Sequence, residues 1–318
     1  MGAPEKGIRV PTHADCSGCG LCVLVCPPWR ATRDQEMTPH GRAKALQHGA
    51  TASDIAASIE SCTLCGACEP ICPENIPIVD LTLELRRSLC ADVVDAPPAS
   101  VAVDPASLLP TVFIPDAALR GAPDTLNRTV KALGGESAVS VASDDGSDIA
   151  AMIESGRLVP EGRLGAFLAP LARVSTVIVA SGLLMRRLRS WLPKTTIVSL
   201  GSVLRDRGAL KGLGPDDLYV IEPRAFHAEH AGQVLKYDDL RAATGCAMNL
   251  DLQRLAISPA AHGVRKPGAA PTPQDIEQAY WIMKGRAVKR VVVEDLADRA
   301  AFEAAGMPVV HIAELADS

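Results

Sequence analysis

The apolar positions change their period along the chain. Before residue 95 the readable stretches are helical: residues 54–61 are Ala-rich with Ile55 and Ile59 four apart, and residues 78–90 place Ile78, Leu81, Leu85 and Leu89 on one face. After residue 110 short β-branched runs take over, at 112–114, 138–142, 176–180, 195–200, 218–222, 291–293 and 309–312, with helical segments between them. Short buried runs alternating with helices predict parallel α/β structure. Between the two regimes, residues 95–110 carry Pro97, Pro98, Pro105 and Pro110 and read as a linker.

The α/β part contains a weak internal repeat. Residues 176–200 run strand, helix, strand, and residues 290–315 repeat that order at nearly the same spacing. Two similar parallel-sheet lobes account for the repeat; a single doubly wound domain, in which any two βαβ units look alike, is the other solution. The expected architecture is α+β overall: a helical domain at 1–95, a linker at 96–110, one α/β lobe at 111–214 and a second at 215–318.

Composition narrows the class. The chain has 318 residues, 47% of them hydrophobic, enough for a sizeable core. A net charge of -5 and only 3% aromatic residues give neither the basic field nor the stacking platforms that nucleic-acid binding needs. The first residues are polar and Pro-containing, unlike a secretory signal, and the apolar stretch at 174–185 is too short for a bilayer. A cytoplasmic location without direct membrane insertion is expected.

The chemistry is concentrated in the cysteines. All but Cys246 lie within the first 90 residues, and eight form two copies of C-x2-C-x2-C-x3-C-P: Cys16, Cys19, Cys22, Cys26 before Pro27, and Cys62, Cys65, Cys68, Cys72 before Pro73. Three cysteines at this spacing wrap backbone around one face of a cuboidal iron-sulfur cluster, and in two-cluster ferredoxins the fourth cysteine of each run ligates the other cluster. The expected ligand sets are therefore Cys16, Cys19, Cys22 and Cys72 for one 4Fe-4S cluster and Cys62, Cys65, Cys68 and Cys26 for the other. Structural zinc has no use for a third cysteine at that spacing, and a disulfide framework suits a short secreted chain. With cysteine at every ligand position, a 3Fe-4S centre is disfavoured.

Compact bacterial ferredoxins join their runs through a short insert, whereas 35 residues separate Cys26 from Cys62. With helices expected around the runs, the first 95 residues resemble the α-helical ferredoxin domains of succinate dehydrogenase iron-sulfur subunits and, with both runs intact, heterodisulfide reductase C-type subunits. The α/β part resembles the heterodisulfide reductase B-type module. The two are fused in the iron-sulfur subunits of glycolate oxidase and anaerobic glycerol-3-phosphate dehydrogenase. That module carries CCG motifs; this sequence has no adjacent cysteine pair, and in the strand-end segment Glu222-Pro223-Arg224-Ala225-Phe226-His227 an arginine stands where the family pattern has a cysteine. Without soft thiolates the lobes cannot hold a thiolate-bound cluster, which leaves a degenerate scaffold for docking partner subunits.

Other signals are weaker. His227, Glu229 and His230 offer a metal site or a hydrogen-bonded turn. Cys90 and Cys246 stand alone, and Arg186, Arg187 and Arg189 form a basic face for solvent or an acidic partner. No dinucleotide fingerprint, P-loop, HExxH or GxSxG is present. No catalytic residue is assigned, and no flavin or nicotinamide is expected on this chain. The first 95 residues carry eight basic side chains against twelve acidic ones, which favours a low cluster potential and a basic docking partner.

The resemblance implies an electron-transfer subunit of a multi-subunit flavin-dependent dehydrogenase acting on a 2-hydroxy acid, glycerol phosphate or an N-methylated amine such as dimethylglycine. A flavoprotein subunit would be the donor, and a second flavin, an electron-transfer flavoprotein or a quinone-reducing partner the acceptor. Two other readings remain: a self-contained reductase with a site between the lobes that includes His227 and Glu222, and an iron-sulfur redox sensor.

Overall fold

The computed structural model describes residues 9–90, 109–251, 254–261, 263 and 269–317. Of the expected linker at 96–110, all but the last two residues lie outside the described residues.

The cysteine-rich part is helical. Among its described residues lie five α-helices: α1 (Leu21–Leu24), α2 (Pro27–Thr32), α3 (Pro39–Gln47), α4 (Ala56–Ser61) and α5 (Ile78–Leu89). Pro27 and Pro39 open their helices, where a missing N–H costs no bond and the fixed φ is already helical. Thr38 caps α3 by accepting the Gly41 N–H.

Helix α5 lies where the apolar period placed it, but its buried side is different. Val79, Thr82, Leu83 and Arg86 are buried, whereas Ile78, Leu81 and Leu85 stay partly open and line a pocket among the cysteines. A buried arginine at one of these positions hides the core side from a pattern of apolar residues. Val79 and Leu83, with Leu64, join an apolar cluster whose other members include Val112, Ile114 and Val177.

The α/β part holds two four-stranded parallel sheets. The first contains β1 (Thr111–Ile114), β2 (Ser140–Val141), β3 (Thr176–Val179) and β4 (Thr196–Ser199), in the order β2-β1-β3-β4. The second is built from β5 (Asp217–Val220) and β6 (Ala247–Met248), a two-stranded antiparallel pair β7 (Leu250–Asp251) and β8 (Leu255–Ala256) stands apart, and β9 (Arg290–Val293) and β10 (Val309–His311) complete the second sheet in the order β10-β9-β5-β6. Read from its other edge, β6-β5-β9-β10, the second sheet has the strand order of the first. The repeated stretches are β3-helix-β4 and β9-helix-β10, each a pair of parallel neighbours.

The sheets share a core. Phe113 and Ile178 from the first belong to the same apolar cluster as Tyr219 and Val292 from the second. Within it Glu294, at the end of β9, accepts hydrogen bonds from the Tyr219 and Tyr237 hydroxyls and, at 2.8 Å, from the Glu222 N–H. Burial raises the Glu294 carboxyl above the ordinary range, with these donors opposing.

Ion pairs join the helical part to the sheets. Arg186 grips Glu69 through two bonds of 2.7 and 3.0 Å, and Arg187 reaches Asp80 at 3.3 Å. Arg189 pairs with Glu229. The basic face of the helix Gly182–Trp191 thus meets acids of its own chain.

Candidate functional site: two cysteine-lined pockets

Both cysteine runs use the same backbone device. Gly18 and Gly20 flank Cys19 with φ of 83° and 75°, and Leu64 and Gly66 flank Cys65 with φ of 55° and 76°. Two left-handed residues around a central cysteine curl each run into a loop. Glycine adopts this conformation freely, while Leu64 holds it at a cost of order 1–3 kcal/mol, compensated by its burial in the core.

The loops define two pockets. One is lined by Cys16, Cys19, Cys22 and Cys72, together with His13, His40, Arg42 and the half-open face of α5. The other is lined by Cys26, Cys62, Cys65 and Cys68, with Thr63, Val79 and Thr82. Each pocket therefore collects three cysteines from one run and the fourth from the other. Cys19 is exposed and its three companions half-buried, whereas Cys26, Cys65 and Cys68 are buried and Cys62 half-buried. The first pocket is the outer one and the larger, about 640 Å³ against about 340 Å³.

Burial and mutual repulsion raise Cys22, Cys26, Cys65 and Cys68. Cys22 is pushed up to about 11 by burial and by Cys16, Cys19 and Cys72, and Cys26 to about 12 by burial, which Arg42 opposes. Burial raises Cys65 and Cys68 as well. Cys62 goes the other way: burial acts on it too, but the Arg42 and Arg86 guanidinium groups hold it below the ordinary thiol range. A thiol that burial keeps protonated loses its proton when it binds a metal, so these sites favour a cationic occupant that replaces protons.

The α/β part closes over the inner pocket. The helix Pro223–Ala228 follows β5, capped by the Glu222 carboxylate. From it Arg224 donates to the carbonyl of Thr63 and pairs with Glu154, and His227 Nδ1 lies 2.7 Å from the carbonyl of Cys65. The Ala256 N–H donates to His227 Nε2, which fixes the ring as neutral with its proton on Nδ1. Arg224, in the position where the resemblance led to a missing cysteine, links the two parts of the chain. Cys246 is buried away from both pockets, and Cys90 contacts the Ser155 carbonyl.

Arg30, Arg42 and Arg86 escaped the sequence reading, which marked Arg224 only as standing where a cysteine was expected. Each stands beside the inner pocket, and nothing in the spacing of charged residues marks them. Arg86 is 3% exposed and donates to the carbonyls of Ile59, Glu60, Cys62 and Glu154.

The donor set fits a polynuclear iron-sulfur group. Among the described residues no three His, Cys, Asp or Glu side chains converge closely enough for a single metal ion. His227, Glu229 and His230 are no such group. Three buried polar atoms that lack a protein partner, His40 Nδ1, Arg42 Nη2 and Thr63 Oγ1, belong to residues lining these pockets. Cluster sulfides are acceptors for such donors.

With this geometry in view, the likeness to known proteins is direct. Residues 12–76, which span both runs, match the 4Fe-4S dicluster domain. The chain is 34% identical over 88 residues to Lactate utilization protein B of Macrococcus caseolyticus, covering 26% of this chain and 18% of that protein. It is 35% identical over 78 residues to the probable glycolate oxidase iron-sulfur subunit of Bacillus subtilis, covering 23% and 18%. It is also 36% identical over 74 residues to the C-type subunit of the ferredoxin/F420H2-dependent CoB-CoM heterodisulfide reductase of Methanosarcina acetivorans, covering 23% and 43%. The matched stretch is thus less than half of each relative. No solved structure matches the chain. The chain carries a 4Fe-4S dicluster domain at its N-terminal end, followed by parallel α/β structure. No helix among the described residues is long and apolar enough to cross a membrane.

Proposed function

We propose that this chain is an iron-sulfur electron-transfer subunit of a multi-subunit oxidoreductase, holding one 4Fe-4S centre on Cys16, Cys19, Cys22 and Cys72 and a second on Cys62, Cys65, Cys68 and Cys26. The observation that carries the reading is the exchange of the fourth cysteine between the two pockets. A 4Fe-4S centre accepts and returns one electron at a time without making or breaking a bond to the protein. The protein's task is to hold eight thiolates, exclude water from the inner set and keep the two sets adjacent. The left-handed turns orient backbone around each pocket, and Arg86 fixes the strand of carbonyls that leads into Cys62.

The printed names of the relatives support the oxidoreductase setting. Within it, the donor is a flavoprotein subunit that oxidises a 2-hydroxy acid, glycerol phosphate or an N-methylated amine, and the acceptor an electron-transfer flavoprotein or a quinone-reducing partner. The division at 1–95, 96–110, 111–214 and 215–318 belongs to the same proposal: a cytoplasmic wire domain followed by two lobes on which partners dock. A substrate site of the chain's own would require Glu222 and His227 to be open, yet they are 7% and 5% exposed and already hydrogen-bonded.

The test is iron and acid-labile sulfide per anaerobically purified chain, with EPR after dithionite reduction and an intact-complex mass. About eight iron per chain, two interacting reduced signals and a co-purifying flavoprotein are expected. About four iron per chain, or turnover of a substrate by the lone chain with an artificial donor, would overturn the reading.

A further inference from the structure

Helix α3 lays a row of hydrogen-bond donors along the first cysteine run. His40, Lys44 and Gln47, four and three positions apart, share one face of the helix. Lys44 Nζ donates to the Cys16 carbonyl at 3.2 Å, and Gln47 Nε2 donates to the carbonyls of His13 and Cys16, both at 3.0 Å. His40 completes the row. It lines the outer pocket, and its Cε1 lies 4.0 Å from where a Cβ on Gly18, next to Cys19, would stand. Its Nδ1 is buried with no protein partner. Buried polar atoms are as a rule hydrogen-bonded, so an orphaned one on a residue of the pocket wall points to an occupant.

The second run also has an imidazole against its loop, and there both nitrogens are taken. The His227 Cβ lies 3.2 Å from where a Cβ on Gly66, next to Cys65, would stand. Its Nδ1 is 2.7 Å from the Cys65 carbonyl, and its Nε2 accepts the Ala256 N–H. The ring at the inner loop is therefore spent on backbone, whereas the Nδ1 of the ring at the outer loop is not. Arg42, also on α3, gives Nη1 to the Ser58 carbonyl, lines the outer pocket and leaves Nη2 without a partner. It stays in place in every His40 variant and so drops out of a comparison among them. Four thiolates already complete the protein ligation of a 4Fe-4S centre, which leaves the imidazole the part of a donor to sulfur.

We propose that His40 Nδ1 donates a hydrogen bond to a sulfur of the centre on Cys16, Cys19, Cys22 and Cys72 and thereby raises the reduction potential of that centre, while His227 gives the inner centre no such bond. This rests on the two-centre reading above. Hydrogen bonds to the sulfurs are among the terms that set the potential of such a centre, because they stabilise its reduced, more negative form. In the test the electron comes from dithionite, which is oxidised by one electron for each centre reduced. The imidazole keeps its proton, and no bond to the protein is made or broken.

The experiment uses the full chain with its histidines labelled with nitrogen-15, reduced with dithionite and read by pulsed EPR, with iron and sulfide measured on every sample. The signal that C16S or C72S alters should show a weak coupling to a histidine nitrogen, kept in H13Q and lost in H40L and H40N. In a mediated redox titration H40L should lower the reduction equilibrium of that centre about tenfold, about 59 mV for one electron, with iron content and the other centre unchanged. H40N, whose amide nitrogen can stand where Nδ1 does, should recover most of the loss; a residue needed only for packing would give no coupling and no such recovery. The wild-type and H13Q spectra decide the matter if the His40 variants fail to bind iron. The proposal is overturned by a signal without histidine coupling, by coupling that vanishes in H13Q, by coupling as strong as that of an iron-bound nitrogen, or by an unshifted H40L, while about eight iron per wild-type chain leaves the two-centre reading standing. About four iron in the wild type overturns both.

Discussion

His227 and Cys65 are joined across 162 positions of sequence by a hydrogen bond of 2.7 Å from the imidazole Nδ1 to the cysteine carbonyl. The ring accepts from Ala256 N–H at its other nitrogen, so one neutral side chain satisfies two buried backbone groups in different parts of the chain. Its Cβ also lies 3.2 Å from where a Cβ on Gly66 would stand, beside the central cysteine of the second run. His227→Ala leaves both backbone groups without partners, at about 1–3 kcal/mol each. A clear drop in the denaturant midpoint and faster iron loss to a chelator are expected; a midpoint equal to wild type would show that the bond contributes nothing to holding the inner loop.

The exchange of fourth cysteines makes a prediction about pairs of variants. C72S should alter the same EPR signal as C16S, although Cys72 belongs to the second run, and C26S the same signal as C65S. If C72S instead resembled C65S, each run would bind its own centre.

Arg86 is a structural cation. Its replacement by methionine strands four carbonyls at the foot of the inner pocket, for a loss of more than about 3 kcal/mol. Gly156 packs on its backbone: an added Cβ would lie 2.4 Å from the Arg86 carbonyl carbon, and the residue holds φ of 81°. G156A should therefore lower the melting temperature as well, and an unchanged melting temperature for both variants would exclude this contact from the stability of the fold.

His311 gives the stability a pH dependence. The imidazole is fully buried, its Nε2 3.2 Å from the Glu294 carbonyl, and burial pushes its pKa down to about 4 from the ordinary 6.5. Between those values the unfolded chain binds a proton that the folded chain refuses. Stability is thus complete above pH 6.5 and lost as pH falls toward 4, by at most about 1.4 kcal/mol per pH unit from this residue. His227 is shifted the same way by burial, so H311Q should flatten the slope without abolishing it. A slope of equal steepness in H311Q would assign the acid lability elsewhere.

What the sequence made legible was whatever repeats at short range. The cysteine spacing is set by the geometry of one loop, and the seven β-branched runs fall on β1 to β5, β9 and β10 because buried parallel strands need such residues on both faces. β6, β7 and β8 hold no β-branched residue and leave no pattern, whereas the equally short β2 lies in the run at 138–142. The most buried side of α5 left no apolar pattern because Arg86 and Thr82 are buried in it. The ties of Arg186 to Glu69 and of Arg224 to Thr63 span 117 and 161 positions, and no local rule connects such partners. For the same reason Arg30, Arg42 and Arg86 drew no notice beside the inner cysteines: their charge is read by the fold, not by their neighbours in sequence.

The unequal shelter of the two cysteine sets also sets how the molecule ages. Thiolates are oxidised in proportion to their access to solvent, and Cys19 is exposed while Cys26, Cys65 and Cys68 are buried. Damage by oxygen therefore begins at the rim of the outer pocket and works inward. On the two-centre reading, a sample left in air is expected to pass through a half-bleached stage in which the sheltered centre outlives its neighbour.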